Sequence, residues 1–227
     1  MTFTSRHLLA LSLSLILRLP VWAEAGKPLH GEWQIPNLEI AKRQIRDYVV
    51  SGRYEDEVST VTGQARQFLE KRLEKPVEGR PAIVFDVDET CLSNYPHISS
   101  LDFGYQPKQW NLWVAEAQAP ALKGTLELYR FARSRGMQVV FLTGRPLDQR
   151  EDTERNLREA GYADWSQLIL KSPDDAASAA DFKAEARRRL SESGLEILAN
   201  IGDQASDLAG GYSESVFKLP NPMYWIP

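Results

Sequence analysis

The chain is nearly without cysteine. Cys91 stands alone among 227 residues, so no intramolecular disulfide can form. A domain of this length buries enough core to need no covalent staple. Cys91 itself reads as a small buried residue rather than a nucleophile. Long apolar runs are scarce too. The longest, Leu8 to Leu17, stops at Arg18, too short to cross a bilayer. With Arg6 before it and Ala23-Glu24-Ala25 after it, residues 1–25 read as a secretory signal, cleaved after Ala23 or Ala25. No cysteine lies there to carry a lipid, so no membrane anchor is expected after cleavage. Positive charge is not in excess: 27 Lys and Arg against 31 Asp and Glu leave −4. No basic patch carries interleaved aromatics, so a nucleic acid polymer is not an expected partner. Internal repeats and low-complexity tracts are missing as well.

What remains is ordinary globular composition, 43% hydrophobic and 26% charged, with a regular pattern. Leu38, Ala41, Ile45, Tyr48 and Val49 recur at helical spacing within 37–50. Val58, Val61, Ala65, Phe68, Leu69 and Leu73 do so within 54–73. These two helices are expected to precede the core and to pack over the active-site side. Short apolar runs at 82–86, 138–142, 167–170, 196–201 and 215–218 read as strands. Helix-prone segments at 123–135, 148–160 and 174–193 lie between them, each followed by glycine (Gly136, Gly161, Gly194), a natural stop. This alternation predicts an α/β fold: a parallel sheet with helices on both faces. Such sheets bind ligands at the carboxyl ends of their strands.

The chemistry-bearing residues fall at those ends. Strand one runs into Phe85-Asp86-Val87-Asp88-Glu89-Thr90. In an extended chain residues i and i+2 share a face, so Asp86 and Asp88 can meet one cleft. Like charges that close call for a cation, and carboxylate oxygens suit Mg²⁺. Strand two ends in Leu142-Thr143-Gly144-Arg145. Thr143 can donate a hydroxyl to a phosphoryl oxygen or cap a turn, and Gly144 lets its amide approach closely. Arg145 can face substrate or an outward ion pair. Lys183 lies in a helix-prone stretch, four residues before Arg187, with Lys171 as its rival after strand three. Strand four ends in Ile201-Gly202-Asp203, with Asp207 one helical turn on.

The series Asp86-x-Asp88-x-Thr90, Thr143, Lys183 and Asp203/Asp207 resembles the four motifs of the haloacid dehalogenase-like (HAD) phosphohydrolases. Leu92-Ser93-Asn94, Pro120-Ala121-Leu122, Asn156-Leu157, Ala160-Gly161-Tyr162 and Phe217 to Tyr224 are similar to its secreted acid phosphatase branch, subfamily IIIB. That branch holds plant acid phosphatases, vegetative storage proteins and bacterial class C acid phosphatases. The resemblance spans about 35–227. It implies a single HAD-like domain over 26–227, with a small cap at about 94–119. By the same resemblance Asp86 is the nucleophile and a Mg²⁺ ligand. Asp88 is general acid and then base, its backbone carbonyl also reaching the metal. Thr143, Gly144 and Lys183 bind phosphate, Asp203 ligates Mg²⁺, and Asp207 holds a metal-bound water or Lys183. Asn94, Tyr95, His97, Trp110 and Trp113 are candidate substrate contacts or cap core, and His97 is given no catalytic part. The implied protein is a secreted or periplasmic Mg²⁺-dependent acid phosphatase acting on small phosphate monoesters through an aspartyl-phosphate. A low-activity storage protein and a phosphotransferase are the alternatives, and homo-oligomer formation stays open.

Overall fold

The computed structural model describes residues 37–226; the expected signal segment, 1–25, lies outside them. Among these residues five strands form one parallel sheet: β1 (Arg80–Phe85), β2 (Gln138–Pro146), β3 (Gln167–Lys171), β4 (Leu195–Gly202) and β5 (Ser215–Lys218). They lie in the order β3-β2-β1-β4-β5, so β1 is central and β2 and β4 flank it. Among the described residues eight α-helices accompany them: α1 (Leu38–Val50), α2 (Arg53–Arg72), α3 (Tyr95–Ser100), α4 (Pro107–Glu116), α5 (Lys123–Ser134), α6 (Arg150–Glu159), α7 (Ala179–Glu192) and α8 (Ala205–Leu208).

Strand periodicity sorts the core into two layers. Ile83 and Phe85 of β1 and Val139 and Phe141 of β2 pack with α2 and α5 through Val58, Leu69, Leu128 and Tyr129. Their alternates Ala82, Val84, Val140 and Leu142 pack with α7 through Ala186 and Leu190. Both faces are therefore covered, as expected of an all-parallel sheet. A register shift opposite Ala82/Ile83 inserts Leu198 into β4, so residues beyond it change face. Ile197 lies with α7, whereas Ala199 and Ile201 lie with α2 and α5.

The two N-terminal helices depart from expectation. α2 lies on a sheet face, with Gly124 of α5 so near that a Cβ there would sit 2.7 Å from Thr62 Oγ1. Burial of its apolar stripe, not the active site, decides its place. α1 reaches toward the cap: Lys42 and Arg46 pair with Asp102, and the Arg46 guanidinium covers the Phe103 ring at 5.1 Å. The segment 94–119, aperiodic in sequence, folds as α3 and α4, each with proline in its first turn, joined by an aromatic loop.

Candidate active site

Asp86 follows the last residue of β1, and its amide donates to the Ile201 carbonyl of β4 at 2.9 Å. The chain then turns sharply. Glu89 has φ of 51°, and the amides of Cys91 and Leu92 both return to the Val87 carbonyl at 2.9 Å. Left-handed backbone at a non-glycine residue is strained, and such strain gathers at functional sites. The turn sets Asp86 and Asp88 on the wall of one cavity of about 590 Å³. Gly144, Arg145, Lys183, Asp203 and Asp207 share that wall, so strand ends of β1, β2 and β4 and the first turns of α7 and α8 converge there.

Lys183 is the electrostatic centre. Ser178 caps α7, its hydroxyl accepting the Asp181 amide at 3.1 Å, and the helix carries Lys183 inward. Its ammonium donates to Asp86 Oδ1 at 2.5 Å and Asp207 Oδ1 at 2.6 Å, all three residues buried. Burial alone would lower its pKa, but the two carboxylates outweigh it and raise the value. Lys171, the rival, also lines the cavity, yet its ammonium donates to the Ala177 carbonyl at 2.5 Å.

Asp86, Asp203 and Asp207 each present a carboxylate oxygen within 4.8 Å of the others. One ammonium does not offset three such charges. Burial, then the neighbouring carboxylates, push Asp86 well above its ordinary pKa against the pull of Lys183. The same causes bring Asp203 to about 6. This donor set, hard and oxygen-only, fits a divalent cation such as Mg²⁺. Asp203 is further held by Thr90 Oγ1 (3.2 Å), Gln204 Nε2 (2.5 Å) and Asn221 Nδ2 (2.8 Å). Gly202 before it is required by space: a Cβ there would lie 2.4 Å from the Asp207 Cβ. Asp207 is fixed on both sides. Its Oδ2 accepts the Gln204 amide at 2.8 Å, and its carbonyl accepts Arg187 at 2.7 Å and Asn200 at 2.9 Å.

Asp88 stands apart from the carboxylate triad. Its oxygens accept Arg145 Nε at 3.1 Å each, Oδ1 also accepts Arg145 Nη2 at 2.6 Å, and Asn94 Nδ2 donates at 2.8 Å. Burial would raise the pKa of this carboxyl, but Arg145 and then Asn94 hold it below the usual range. The outward ion pair considered for Arg145 is thereby corrected. Its side chain is 2% exposed, turned inward because β2 continues through Pro146 and Thr153 accepts Nη1 at 3.1 Å. Thr143 is fully buried behind the cavity wall, its hydroxyl accepting the Arg145 amide at 3.1 Å. A hydroxyl that accepts can still donate. At Gly144 nothing of the protein lies within 4 Å of a would-be Cβ, so the glycine keeps the cavity side clear.

Sequence reasoning passed over several side chains here. Glu89, fully buried, accepts the Asn94 amide at 2.6 Å and the Tyr224 hydroxyl at 2.5 Å. Burial, then Asp88 and Asp203, push its pKa up to about 8. Asn94 bonds Asp88 and Glu89 and does not line the cavity, so the substrate-contact reading gives way to an internal one. Gln204, Asn221, Arg187 and Tyr224 bond Asp203, Asp207 and Glu89; the sequence held Arg187 at its spacing from Lys183 and Asn221 and Tyr224 in the Phe217 to Tyr224 stretch, but marked none of these partners. Tyr95 and Trp113 also stay off the lining, whereas His97, Phe103, Tyr105 and Trp110 form one wall, with Tyr224, Trp225 and Ile226 also on the lining. Cys91 is buried, its thiol pKa raised by that burial.

Comparison with known proteins agrees with this geometry. Residues 22–227 match the family described as HAD superfamily, subfamily IIIB (Acid phosphatase). Acid phosphatase 1 of Solanum lycopersicum is 40% identical over 187 residues, covering 80% of this chain and 73% of that protein. Vegetative storage protein 1 of Arabidopsis thaliana is 31% identical over 191 residues, 82% and 70% of the two chains. Among solved structures, the class C acid phosphatase from Bacillus anthracis with tungstate bound superposes with a TM-score of 0.69 at 26% identity, covering 82% of this chain and 87% of its own. The matched span takes in every motif residue at the cavity, and the chain belongs to the acid phosphatase family of HAD subfamily IIIB.

Proposed function

We propose that the protein is a secreted, Mg²⁺-dependent acid phosphatase that hydrolyses small phosphate monoesters through an aspartyl-phosphate on Asp86. The observation that supports this most is Lys183, buried and bonded at once to Asp86 and Asp207. A cation held there serves a carboxylate that must meet an anionic phosphoryl group. Asp86 attacks phosphorus and the bond to the leaving oxygen breaks. Asp88, in the fraction that acid pH protonates, gives that oxygen its proton, then, as the carboxylate that Arg145 favours, takes one from the water that cleaves the Asp86–phosphorus bond. Lys183, the Gly144 amide and Thr143 neutralise and orient the phosphoryl oxygens. Asp86, Asp203 and the Asp88 carbonyl would hold Mg²⁺, with Asp207 supporting it, and the bound ion would supply charge neutralisation.

Residues 1–25 are proposed as the cleaved signal, leaving a domain at 26–227 with its cap at about 94–119 and no membrane anchor. Among the described residues no helix is long and apolar enough to cross a membrane. A storage reading draws on the likeness to vegetative storage protein 1. Against it stand an intact Asp86 and its lysine.

Phosphate release from 4-nitrophenyl phosphate, with Mg²⁺ and with chelator, beside Asp86→Asn, tests the proposal. Metal-dependent turnover that the variant loses is expected. Absence of turnover from acid to neutral pH would turn the assignment to storage. Transfer to an added alcohol in place of water would make it a phosphotransferase.

A further inference from the structure

Asn94 and its two neighbours form a buried network that the proposed chemistry does not use. Asn94 is fully buried. Its Oδ1 accepts the Trp113 indole N–H of α4 at 2.8 Å. Its Nδ2 donates to Asp88 Oδ1 at 2.8 Å and to Glu89 Oε2 at 3.3 Å. Its backbone amide donates to Glu89 Oε1 at 2.6 Å, and Glu89 Oε2 takes the Tyr224 hydroxyl at 2.5 Å. The carboxamide can lie only one way round. An indole nitrogen is donor only, so it must meet the amide oxygen, and the NH₂ must then face the two carboxylates. Asp88 is thus gripped between Arg145 on one side and Asn94 on the other.

Each end of the network belongs to a cavity wall. Trp113 stacks on His97, ring centroids 5.5 Å apart and 15° from parallel, and His97 meets Trp110 edge-on at 5.9 Å. Both His97 and Trp110 line the cavity. Tyr224 precedes Trp225 and Ile226, which line it from the C-terminal segment. That segment is tied to the carboxylates a second time, the Ile226 amide donating to Gln204 Oε1 at 3.0 Å.

We propose that Asn94 is a positioning residue for Asp88. Trp113 of the cap orients it from one side, and Glu89, braced by Tyr224, from the other. The network then holds the Asp88 carboxyl toward the leaving oxygen, and a leaving group that packs on His97 and Trp110 reinforces that aim. Binding energy far from phosphorus is thereby spent on proton delivery, which raises turnover and not affinity alone. This rests on Asp88 acting as the acid in the reaction proposed above.

The test is leaving-group dependence. The kcat/KM values for phenyl, 4-chlorophenyl and 4-nitrophenyl phosphates report the step in which the leaving oxygen departs. Nitrophenolate leaves without a proton, whereas phenolate needs one. For Asn94→Ala, kcat/KM on phenyl phosphate is expected to fall on the order of 30- to 100-fold, at or just below the low end of what a general acid contributes, because Asp88 is misaimed and not removed. On 4-nitrophenyl phosphate the loss should stay under about threefold. Trp113→Phe, which keeps the aromatic packing and removes one donor, should show the same selectivity at about five- to tenfold. It carries the test if Asn94→Ala does not fold. Equal loss on all three esters in both variants would make the network a structural strut and overturn the proposal. A wild type that turns over none of them would refute the phosphatase assignment itself.

Discussion

Replacing Lys183 with methionine removes the ammonium from the carboxylate cluster while keeping an unbranched four-atom stem. Asp86 and Asp207 then lose bonds of 2.5 and 2.6 Å, and Asp203 remains within 4.8 Å of both. Breaking a buried pair by deleting one partner costs about 3–5 kcal/mol, because the other charge is left uncompensated. For a domain of this size each kcal/mol lowers Tm by about 2–4 °C, so a fall of roughly 10 °C is expected at pH 7 in chelator. The deficit should depend on pH in one direction. Burial and neighbouring carboxylates already raise Asp86 well above its ordinary pKa and bring Asp203 to about 6. Loss of the ammonium moves both further up. Over the window from about 4 upward, the folded state holds protons that the unfolded chain has released. Stability therefore falls as pH rises, and the deficit should shrink toward pH 4. Added Mg²⁺ binds the folded site and should restore part of the loss at pH 7. Thermal unfolding of wild type and variant at pH 4 and 7, with chelator and with Mg²⁺, measures all of this. A variant as stable as wild type at pH 7 without metal, or equally impaired at both pH values, would refute the reasoning.

Two further outcomes follow from close contacts and burial. In Gly202→Ala the added methyl would lie 2.4 Å from the Asp207 Cβ, so Asp207 must retreat from Lys183. A cost of about 1–3 kcal/mol by urea unfolding and a collapse of phosphate release are expected, and wild-type turnover would show that the backbone yields freely there. Glu89, with a folded pKa of about 8, holds its proton in the native state between about 4.5 and 8 while the unfolded chain has lost it. Its contribution is complete below that window and lost across it, so Glu89→Gln should flatten the fall in Tm between pH 5 and 8. An unchanged slope would place that pH dependence elsewhere.

Much of the architecture was legible because it is local. Short apolar runs such as 82–86 and 138–142 marked the strands, and Gly136, Gly161 and Gly194 lie just past the helices they were expected to end. Boundaries were less legible. β2 runs on to Pro146, carrying Thr143 to Arg145 inside the strand, and α7 starts only at Ala179, because Asp174 to Ser178 form a loop and a cap. The cap segment hid its two short helices, since aromatic residues there serve a cavity wall and not one stripe. α2 was placed wrongly because an apolar face shows that a helix is buried, never against what.

For the site, the sequence by itself determined which groups are present and that Asp86, Asp88, Thr143 and Asp203 stand at or just beyond strand ends, where spacing along an extended chain is set by backbone geometry. Lys183 stood out only by its helical stretch and its spacing to Arg187, with Lys171 as a rival. Only the tertiary structure decided their partners. Lys183 lies 97 residues from Asp86 and 24 from Asp207, Arg145 lies 57 from Asp88, and Tyr224 lies 135 from Glu89. Charges so far apart in the chain carry no mark of one another until the parallel sheet brings the ends of β1, β2 and β4 side by side. Burial there raises every carboxyl, and the partner decides the outcome: Asp86 stays high among Asp207 and Asp203 despite Lys183, whereas Arg145 holds Asp88 low.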